Sequence, residues 1–281
     1  MSNFNNISRR KFIYGSTCLC ASSLVLPSCT EVALSERQQF NILSDDFLYS
    51  KTFPAYNNFK SQSKLISGTS EYNEIVDIGF RIRDAINVYY NTKGQEDPTS
   101  NFQWEFILVD DDQTKNAWCM PGGKIAFYTG ILPVCKNDDG IAAVMGHEIA
   151  HAFARHTVEK LTQSSMMQMA TLGISNSKYA ELLNKSFKVG NVSGNVYNSV
   201  VKYGIFLPFS RTMESEADYL GMGFMNLSGF DIKEPAKLWQ RMMADKEGQM
   251  PEFMGSHPSP ENRSKKFLDW EVEIADKFPR V

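Results

Sequence analysis

The chain has 281 residues, enough for one large domain or two small ones with a buried core. Its composition, 42% hydrophobic and 22% charged, is typical of a folded protein and excludes a disordered chain, a collagen-like fibre and a polytopic membrane protein. The formal net charge of -3 leaves no surplus of basic residues to bind a phosphate backbone, so we expect no nucleic-acid partner.

The first residues have the pattern of a secretory leader. Arg9 and Arg10 precede an apolar stretch over 12–26, which is shorter than the roughly 20 residues that a membrane-spanning helix needs. The paired arginines resemble a twin-arginine export signal, and residues 26–29, Leu-Pro-Ser-Cys, resemble a bacterial lipobox. We therefore predict that the protein is exported and that Cys29 receives a lipid.

This pattern divides the chain into three parts. We predict an export signal over 1–28, a tether over 29–44 that begins with the lipidated Cys29, and a single domain over 45–281. The lipid would hold the protein at a membrane in the periplasm, with the outer membrane favoured. A retained signal anchor and cleavage by another peptidase are the alternatives.

Two further cysteines, Cys119 and Cys135, lie within the predicted domain. Cysteines of exported proteins can pair, but free cysteines also pack as small apolar side chains. Their spacing in the sequence does not decide between a disulfide and two buried thiols, so both interpretations stay open.

The first part of the domain predicts two helices followed by short strands. A helix is expected over 44–64, interrupted at Pro54, and a second over 70–91, where apolar residues recur at helical spacing. Aromatic and β-branched residues then predict a small sheet of about three strands. The predicted strands cover 104–109, 117–120 and 124–128.

The second part of the domain is mainly helical. A long helix is expected over 138–161, with Asp138 and Asp139 as its caps. The region 164–208 has weaker periodicity and predicts helices broken by a mobile loop near 190–195, in a position suited to a lid. The order of helices, a small sheet and more helices predicts an α+β fold. The remaining predicted helices cover 212–227, 233–246 and 260–276.

The chemistry-bearing motif is His147-Glu148-Ile149-Ala150-His151. Two histidines four residues apart project from one face of a helix, so both imidazoles can reach one Zn²⁺ while Glu148 lies beside a water at the metal. The surrounding residues are mostly apolar and predict a buried helix, in which two histidines without partners would be unfavourable. We interpret His156, five residues further on, as a surface residue or as a support for the site.

A third metal ligand is needed, because catalytic zinc commonly has three protein ligands and one open position. A histidine at position 157 would supply it in one known pattern, but that residue is Thr157. Glu214 and Asp218, four residues apart on a predicted helix, offer the alternative. One of them can bind the metal while the other accepts a hydrogen bond from a ligand histidine. We interpret Glu216 as a solvated charge.

Several segments, which follow one another in the same order along the chain, resemble the gluzincin metallopeptidases of the CAAX-prenyl-protease/HtpX type. The resemblance covers about residues 35–275. Because an export signal is predicted and transmembrane helices are not, the chain resembles the soluble periplasmic lipoprotein branch and the mitochondrial Oma-type proteases. The segments that carry the resemblance are 116–125, 129–132, 147–151, 210–218 and the His257-Pro258 pair with Arg263.

The resemblance implies one Zn²⁺ per chain in a mainly helical peptidase domain, with the small sheet next to the helix that carries the motif. His147, His151 and Glu214 would be the zinc ligands. Glu148 would act as the general base on a water at the metal and then pass the proton to the leaving amine.

Further roles follow from the same resemblance. Asp218 would orient a ligand histidine. His257 would either stabilise the oxyanion or bind the zinc in a resting, autoinhibited form, and Arg263 would support that charge or lock the loop that carries His257. An extended substrate would pair with the edge of the sheet, although an ordinary core strand is the alternative there. The predicted substrate strand consists of Asn116, Ala117, Trp118, Cys119 and Met120.

The function implied is a zinc-dependent endopeptidase. We expect its substrates to be misfolded or misassembled proteins of the cell envelope, and the sequence does not indicate an oligomeric state. One alternative is a periplasmic chaperone or binding lipoprotein whose zinc site is structural or autoinhibited. Another is a zinc hydrolase that acts on a substrate other than a peptide.

Overall fold

The computed structural model describes most of the predicted domain and the segment before it. The predicted export signal over 1–28 and most of the predicted lid, 173–208, lie outside the described residues. Within the described part, helices of sufficient length are too polar to cross a membrane. The described residues are 29–41, 43–172, 209–244, 252–257 and 263–281.

The described chain begins with a two-stranded antiparallel ribbon, which we call the N-terminal ribbon. Its strands are β1 (Cys29–Glu31) and β2 (Gln38–Phe40). Val32, directly after β1, is 2% exposed and belongs to the main hydrophobic core. The predicted tether over 29–44 therefore contains a ribbon that packs on the domain, because burial of an apolar side chain favours docking over a free linker.

Two long helices follow the N-terminal ribbon. Helix α1 (Asp45–Gln62) continues through Pro54, so the predicted interruption there is wrong. The buried side chains of Ala55 and Tyr56 hold the helix against the domain beyond the proline, and this packing outweighs the lost hydrogen bond. Helix α2 (Ser70–Thr92) buries one apolar face in the main core, as its periodicity predicts.

The central sheet has four strands rather than about three. The additional strand, β3 (Leu65–Ile66), pairs antiparallel with β4 (Glu105–Val109) and is too short for a sequence pattern to reveal. Strand β6 (Lys124–Tyr128) pairs parallel with β4 and antiparallel with β5 (Ala117–Met120). Among the described strands, the order β3-β4-β6-β5 places β5 at an edge.

The predicted helix over 138–161 is divided in two. After a short helix α3 (Leu132–Cys135), helix α4 spans Asp138–Phe153 and helix α5 spans His156–Leu172. Arg155 lies between them in the left-handed region with φ of 55°, and this turn redirects the chain. The cap of α4 is Asn137, whose side chain accepts from the N–H of Gly140, rather than the predicted aspartates.

The last part of the described chain packs helices around α4. Helix α6 (Arg211–Leu227) crosses α4 so closely that a methyl group on Gly221 would lie 2.9 Å from the backbone nitrogen of His147. This approach of the two backbones brings the motif beside the carboxylates of α6. The remaining helices are α7 (Glu234–Ala244), α8 (Glu252–Ser256) and α9 (Arg263–Lys277).

The architecture is a mainly helical α+β fold with small sheets, and this confirms the predicted class. Cys119 and Cys135 are both buried as free thiols, so the structure contains two thiols rather than a disulfide at these positions. Helix α4 lies between the sheet and α6, and nearly all of its residues are buried.

Candidate metal centre

Four buried side chains converge at the crossing of α4 and α6. His147 and His151 come from α4, Glu214 from the first turn of α6, and His257 from the end of α8. One ligand atom from each lies within 4.8 Å of all the others. The predicted ligands His147, His151 and Glu214 are therefore brought together, and His257 joins them.

The spacing of these atoms suits a tetrahedral zinc ion. The Nε2 atoms of His147 and His151 are 3.0 Å apart, and Nδ1 of His257 is 3.2 Å from Nε2 of His147 and 3.2 Å from Oε1 of Glu214. Ligands at 2.0–2.1 Å from zinc define a tetrahedron with edges of about 3.3–3.4 Å. Nε2 of His151 lies 3.5 Å from Oε1 of Glu214, so the observed separations of 3.0–3.5 Å fall around this value.

Unpartnered carboxylate oxygens support the same conclusion. Oε2 of Glu214 and Oε1 of Glu148 are buried and have no hydrogen-bond partner within the described part of the chain. A buried charged oxygen without a partner is costly, and a cation or a water at the metal would satisfy it. The residues present therefore fit a zinc ion.

The protonation of two ligands also suits metal binding. Burial raises the pKa of Glu214, but His257 and His151 outweigh it and hold that pKa well below its ordinary value. Burial lowers the pKa of His151 well below its ordinary value. The carboxylate is thus charged and the imidazole neutral, which are the forms that bind zinc.

His147 lies in a more negative environment than His151. Burial lowers its pKa, but the neighbouring carboxylates of Asp218 and Glu214 raise it to about 9. Carboxylates that favour a proton on this imidazole favour a divalent cation in the same place, because either supplies the positive charge.

Glu148 lies between the metal centre and the edge of the sheet. Its Oε2 accepts a hydrogen bond of 3.1 Å from the backbone N–H of Cys119 in β5, and its Oε1 lies 3.3 Å from Nε2 of His257. Burial raises the pKa of this carboxyl above its ordinary value. A carboxylate with a raised pKa is a better proton acceptor, as a general base requires.

Asp218 lies one turn beyond Glu214 and contacts a ligand histidine. Nδ1 of His147 lies 3.0 Å from Oδ1 of Asp218, so an N–H at Nδ1 leaves Nε2 free for a metal. Arg263 forms an ion pair with the same carboxylate, and its guanidinium lies 4.0 Å from the ring centre of Trp239. The structure thus places Arg263 behind Asp218, as a partner of that carboxylate.

Glu216 and His156 both lie in the surroundings of the centre. Glu216 is 7% exposed, so its interpretation as a solvated charge is wrong. His156 is fully buried, which excludes a surface position and leaves its other interpretation, a support for the site. Nδ1 of His156 lies 2.8 Å from Nδ1 of His151. A third histidine so close to the motif is a signal in the sequence, but only the turn at Arg155 brings its side chain back to the site.

The predicted substrate strand borders the centre. β5 is an edge strand, and Asn116 precedes it. Because the N–H of Cys119 points to Glu148 rather than to β6, the outer side of the strand faces the metal centre. Just before the strand, the carbonyl of Lys115 accepts a hydrogen bond from the N–H of Phe253 in α8.

Comparisons with known proteins agree with the geometry. Residues 82–271, which include all four converging side chains, match the profile of a family described as peptidase family M48. The mitochondrial metalloendopeptidase OMA1 of Schizosaccharomyces pombe is 33% identical over 249 residues, which are 88% of this chain and 67% of that protein.

Two further relatives match a shorter region. OMA1 of Saccharomyces cerevisiae is 35% identical over 176 residues, which are 60% of this chain and 47% of that protein. The beta-barrel assembly-enhancing protease of Yersinia pestis is 27% identical over 164 residues, which are 57% of this chain and 33% of that protein. The matched part thus spans from a third to two thirds of the length of these relatives.

Proposed function

The chain belongs to peptidase family M48, and from that premise we propose that it is a zinc-dependent endopeptidase. The observation that carries the proposal is the centre of His147, His151 and Glu214, with Glu148 between it and a sheet edge. The short distances between these side chains and the sheet edge support the proposal, because peptide hydrolysis needs a base, a metal and an extended peptide next to one another.

A zinc ion held by these three ligands would act as a Lewis acid that polarises a peptide carbonyl and makes a water nucleophilic at neutral pH. The chain's own residues then move the proton. Glu148 accepts it from the attacking water at Oε1 and later passes it to the leaving nitrogen, while Oε2 stays bound to the N–H of Cys119. The backbone of β5 thus fixes the orientation of the base.

The substrate would bind as an additional strand along β5. Backbone hydrogen bonds along an edge strand recognise an extended peptide whatever its sequence. Since the N–H of Cys119 points at Glu148, a peptide held beside this strand has its backbone next to the base. Such recognition favours segments that are unfolded, because a folded protein does not offer a free strand of this kind.

The position of His257 bears on whether the site is open to water and substrate. Its Nδ1 lies 3.2 Å from Nε2 of His147 and from Oε1 of Glu214, so His257 would be a fourth ligand where a catalytic site needs an open position for water or substrate. Such a ligand would cap the centre, and His257 would have to withdraw before catalysis. The cap also favours a second candidate function, a protein that binds unfolded chains and does not cleave them while His257 stays in place.

For the location, we propose that residues 1–28 are an export signal and that a lipid on Cys29 anchors the protein at the outer membrane, facing the periplasm. The twin-arginine pattern and the lipobox-like residues 26–29 support this proposal. Radiolabelled palmitate and membrane flotation of wild type and Cys29→Ser test it. We expect label and membrane association in wild type alone, and equal flotation of both would contradict the anchor.

We propose further that the substrates are misfolded or misassembled envelope proteins. The name of the Yersinia relative, a protease that enhances β-barrel assembly, supports this class. The test compares an unfolded outer-membrane β-barrel protein with its folded form, with new internal termini identified by mass spectrometry and Glu148→Gln as the control. Internal cuts in the unfolded form alone are expected. Equal cutting of both forms, or cutting by Glu148→Gln, would contradict the proposal.

A further inference from the structure

A chain of polar contacts leads from the metal centre to the N-terminal ribbon. We propose that His156, Glu216 and Arg37 form a positioning relay that orients His151 for the metal, and that the ribbon closes its outer end. The proposal goes beyond peptide hydrolysis and rests only on the zinc site of the proposed function.

The inner half of the relay fixes the proton positions of two imidazoles. Nδ1 of His156 lies 2.8 Å from Nδ1 of His151, and Nε2 of His156 lies 2.8 Å from Oε2 of Glu216. A carboxylate accepts only, so Nε2 of His156 carries the proton and its Nδ1 is an acceptor. Nδ1 of His151 must then donate, which leaves its Nε2 without a proton and free for the metal.

The surroundings of His156 hold its ring in this arrangement. The side chain is fully buried, with Nδ1 facing His151 and Nε2 facing Glu216. A neutral imidazole has one donor and one acceptor, so it transmits the direction of one hydrogen bond to the next. Without this acceptor, His151 is free to hold its proton on Nε2, a form that does not bind zinc.

The outer half of the relay comes from the N-terminal ribbon. Nε of Arg37 donates to Oε2 of Glu216 at 2.6 Å, and its two terminal nitrogens donate to both oxygens of Glu159 at 3.0 and 2.7 Å. The hydroxyl of Ser35 donates to Oε1 of Glu216. Because both oxygens of Glu216 accept such bonds, the carboxylate is held in one orientation toward His156.

The two ligand histidines of α4 are therefore supported differently. His147 is held directly by Asp218, a residue of the same helix as Glu214. His151 depends on contacts that reach a segment more than a hundred residues earlier in the chain, through Arg37. The ribbon begins at Cys29, so the predicted anchor and the metal centre are joined by one short, packed segment.

The relay is tested by the zinc dissociation constant, measured by competition with a coloured chelator at fixed pH. The variants are His156→Phe, His156→Asn, which keeps an acceptor near the position of Nδ1, and Arg37→Met. Arg241→Met is the matched control, because Arg241 also pairs with a buried glutamate and is similarly exposed, 19% against 22% for Arg37. Its other contacts are the carbonyls of Val134 and Cys135.

We expect His156→Phe to weaken zinc binding about 10–100-fold, as loss of a partner of a ligand histidine commonly does. His156→Asn should recover part of this loss, Arg37→Met should weaken binding by about tenfold, and Arg241→Met should leave it unchanged. The visible spectrum of the Co²⁺-loaded protein should change in His156→Phe, because a ligand has moved.

Two results would overturn the relay. One is a dissociation constant for folded His156→Phe within twofold of wild type. If that variant does not fold, the result that overturns the relay is a change in the zinc dissociation constant of Arg37→Met no larger than that of Arg241→Met. A wild type that binds no zinc would refute the proposed zinc site itself. Variants that bind zinc with the same dissociation constant as wild type would refute the relay alone.

Discussion

At the scale of single residues, His257 joins the three predicted zinc ligands in one buried group. Its Nδ1 lies 3.2 Å from both Nε2 of His147 and Oε1 of Glu214, and its Nε2 faces Glu148. The same imidazole, moved by a small distance, would face a developing oxyanion. Two roles are therefore proposed for this imidazole, as a cap on the centre and as a stabiliser of the oxyanion.

Replacing His257 separates these two roles. We predict that His257→Ala increases casein cleavage about tenfold, which corresponds to removing a capped state favoured by about 1.4 kcal/mol. The measurement is the initial cleavage rate with zinc in excess. A hundredfold fall would instead assign His257 to stabilisation of the oxyanion, since loss of one such donor costs about that much.

The reactivity of the two buried thiols is also determined at the scale of single residues. Burial raises the pKa of Cys135 to about 12 and that of Cys119 well above its ordinary value. A raised pKa keeps the thiol protonated at all pH values below it, and only the thiolate reacts quickly. We predict that a thiol reagent at pH 8 does not modify either residue in the folded protein and modifies both in urea. Rapid reaction without denaturant would contradict this burial.

At the scale of elements, the crossing of α4 and α6 positions the ligands. Gly146 and Gly221 face each other there, so the helices approach to the distance of backbone contact. His147 follows directly after Gly146, and Glu214 lies two turns before Gly221. The spacing of the two helices therefore sets the distance between the histidines and the carboxylate.

A side chain at this crossing should push the helices apart. We predict that Gly221→Ala lowers the free energy of unfolding by about 1–3 kcal/mol, the usual cost of overpacking, and weakens zinc binding. Urea unfolding and chelator competition measure the two effects. Gly255→Ala is the control, because a methyl group there meets nothing within 4 Å among the described residues. Equal free energies of unfolding for Gly221→Ala and wild type would contradict this, because the helices would then move apart without a loss of stability.

The same elements show what a sequence can predict. The positions of His147 and His151 follow from helical spacing, and helix α2 follows from its apolar periodicity, because both are local properties. The role of Glu216 depends on Arg37, 179 residues away, and no local pattern reports such a contact. The turn at Arg155 is not predictable from the sequence, because composition does not indicate a positive φ at an arginine.

At the scale of the whole molecule, the metal centre joins distant parts of the chain. Its ligands come from α4, α6 and the end of α8, and its supporting contacts reach the N-terminal ribbon and α9. A zinc ion that binds only this arrangement stabilises the folded state as a whole. The peptidase chemistry of this family needs the metal, the buried base and the sheet edge together. It therefore depends on this one arrangement of the folded chain.

The most direct test of that geometry measures bound zinc and casein cleavage on the same samples of wild type and Glu148→Gln. We predict about one zinc per chain in both proteins, and a loss of cleavage of about 10²–10⁴-fold in Glu148→Gln, because that residue moves the proton and is not a ligand. Absence of zinc from wild type in metal-replete buffer, or undiminished cleavage by Glu148→Gln, would contradict the account.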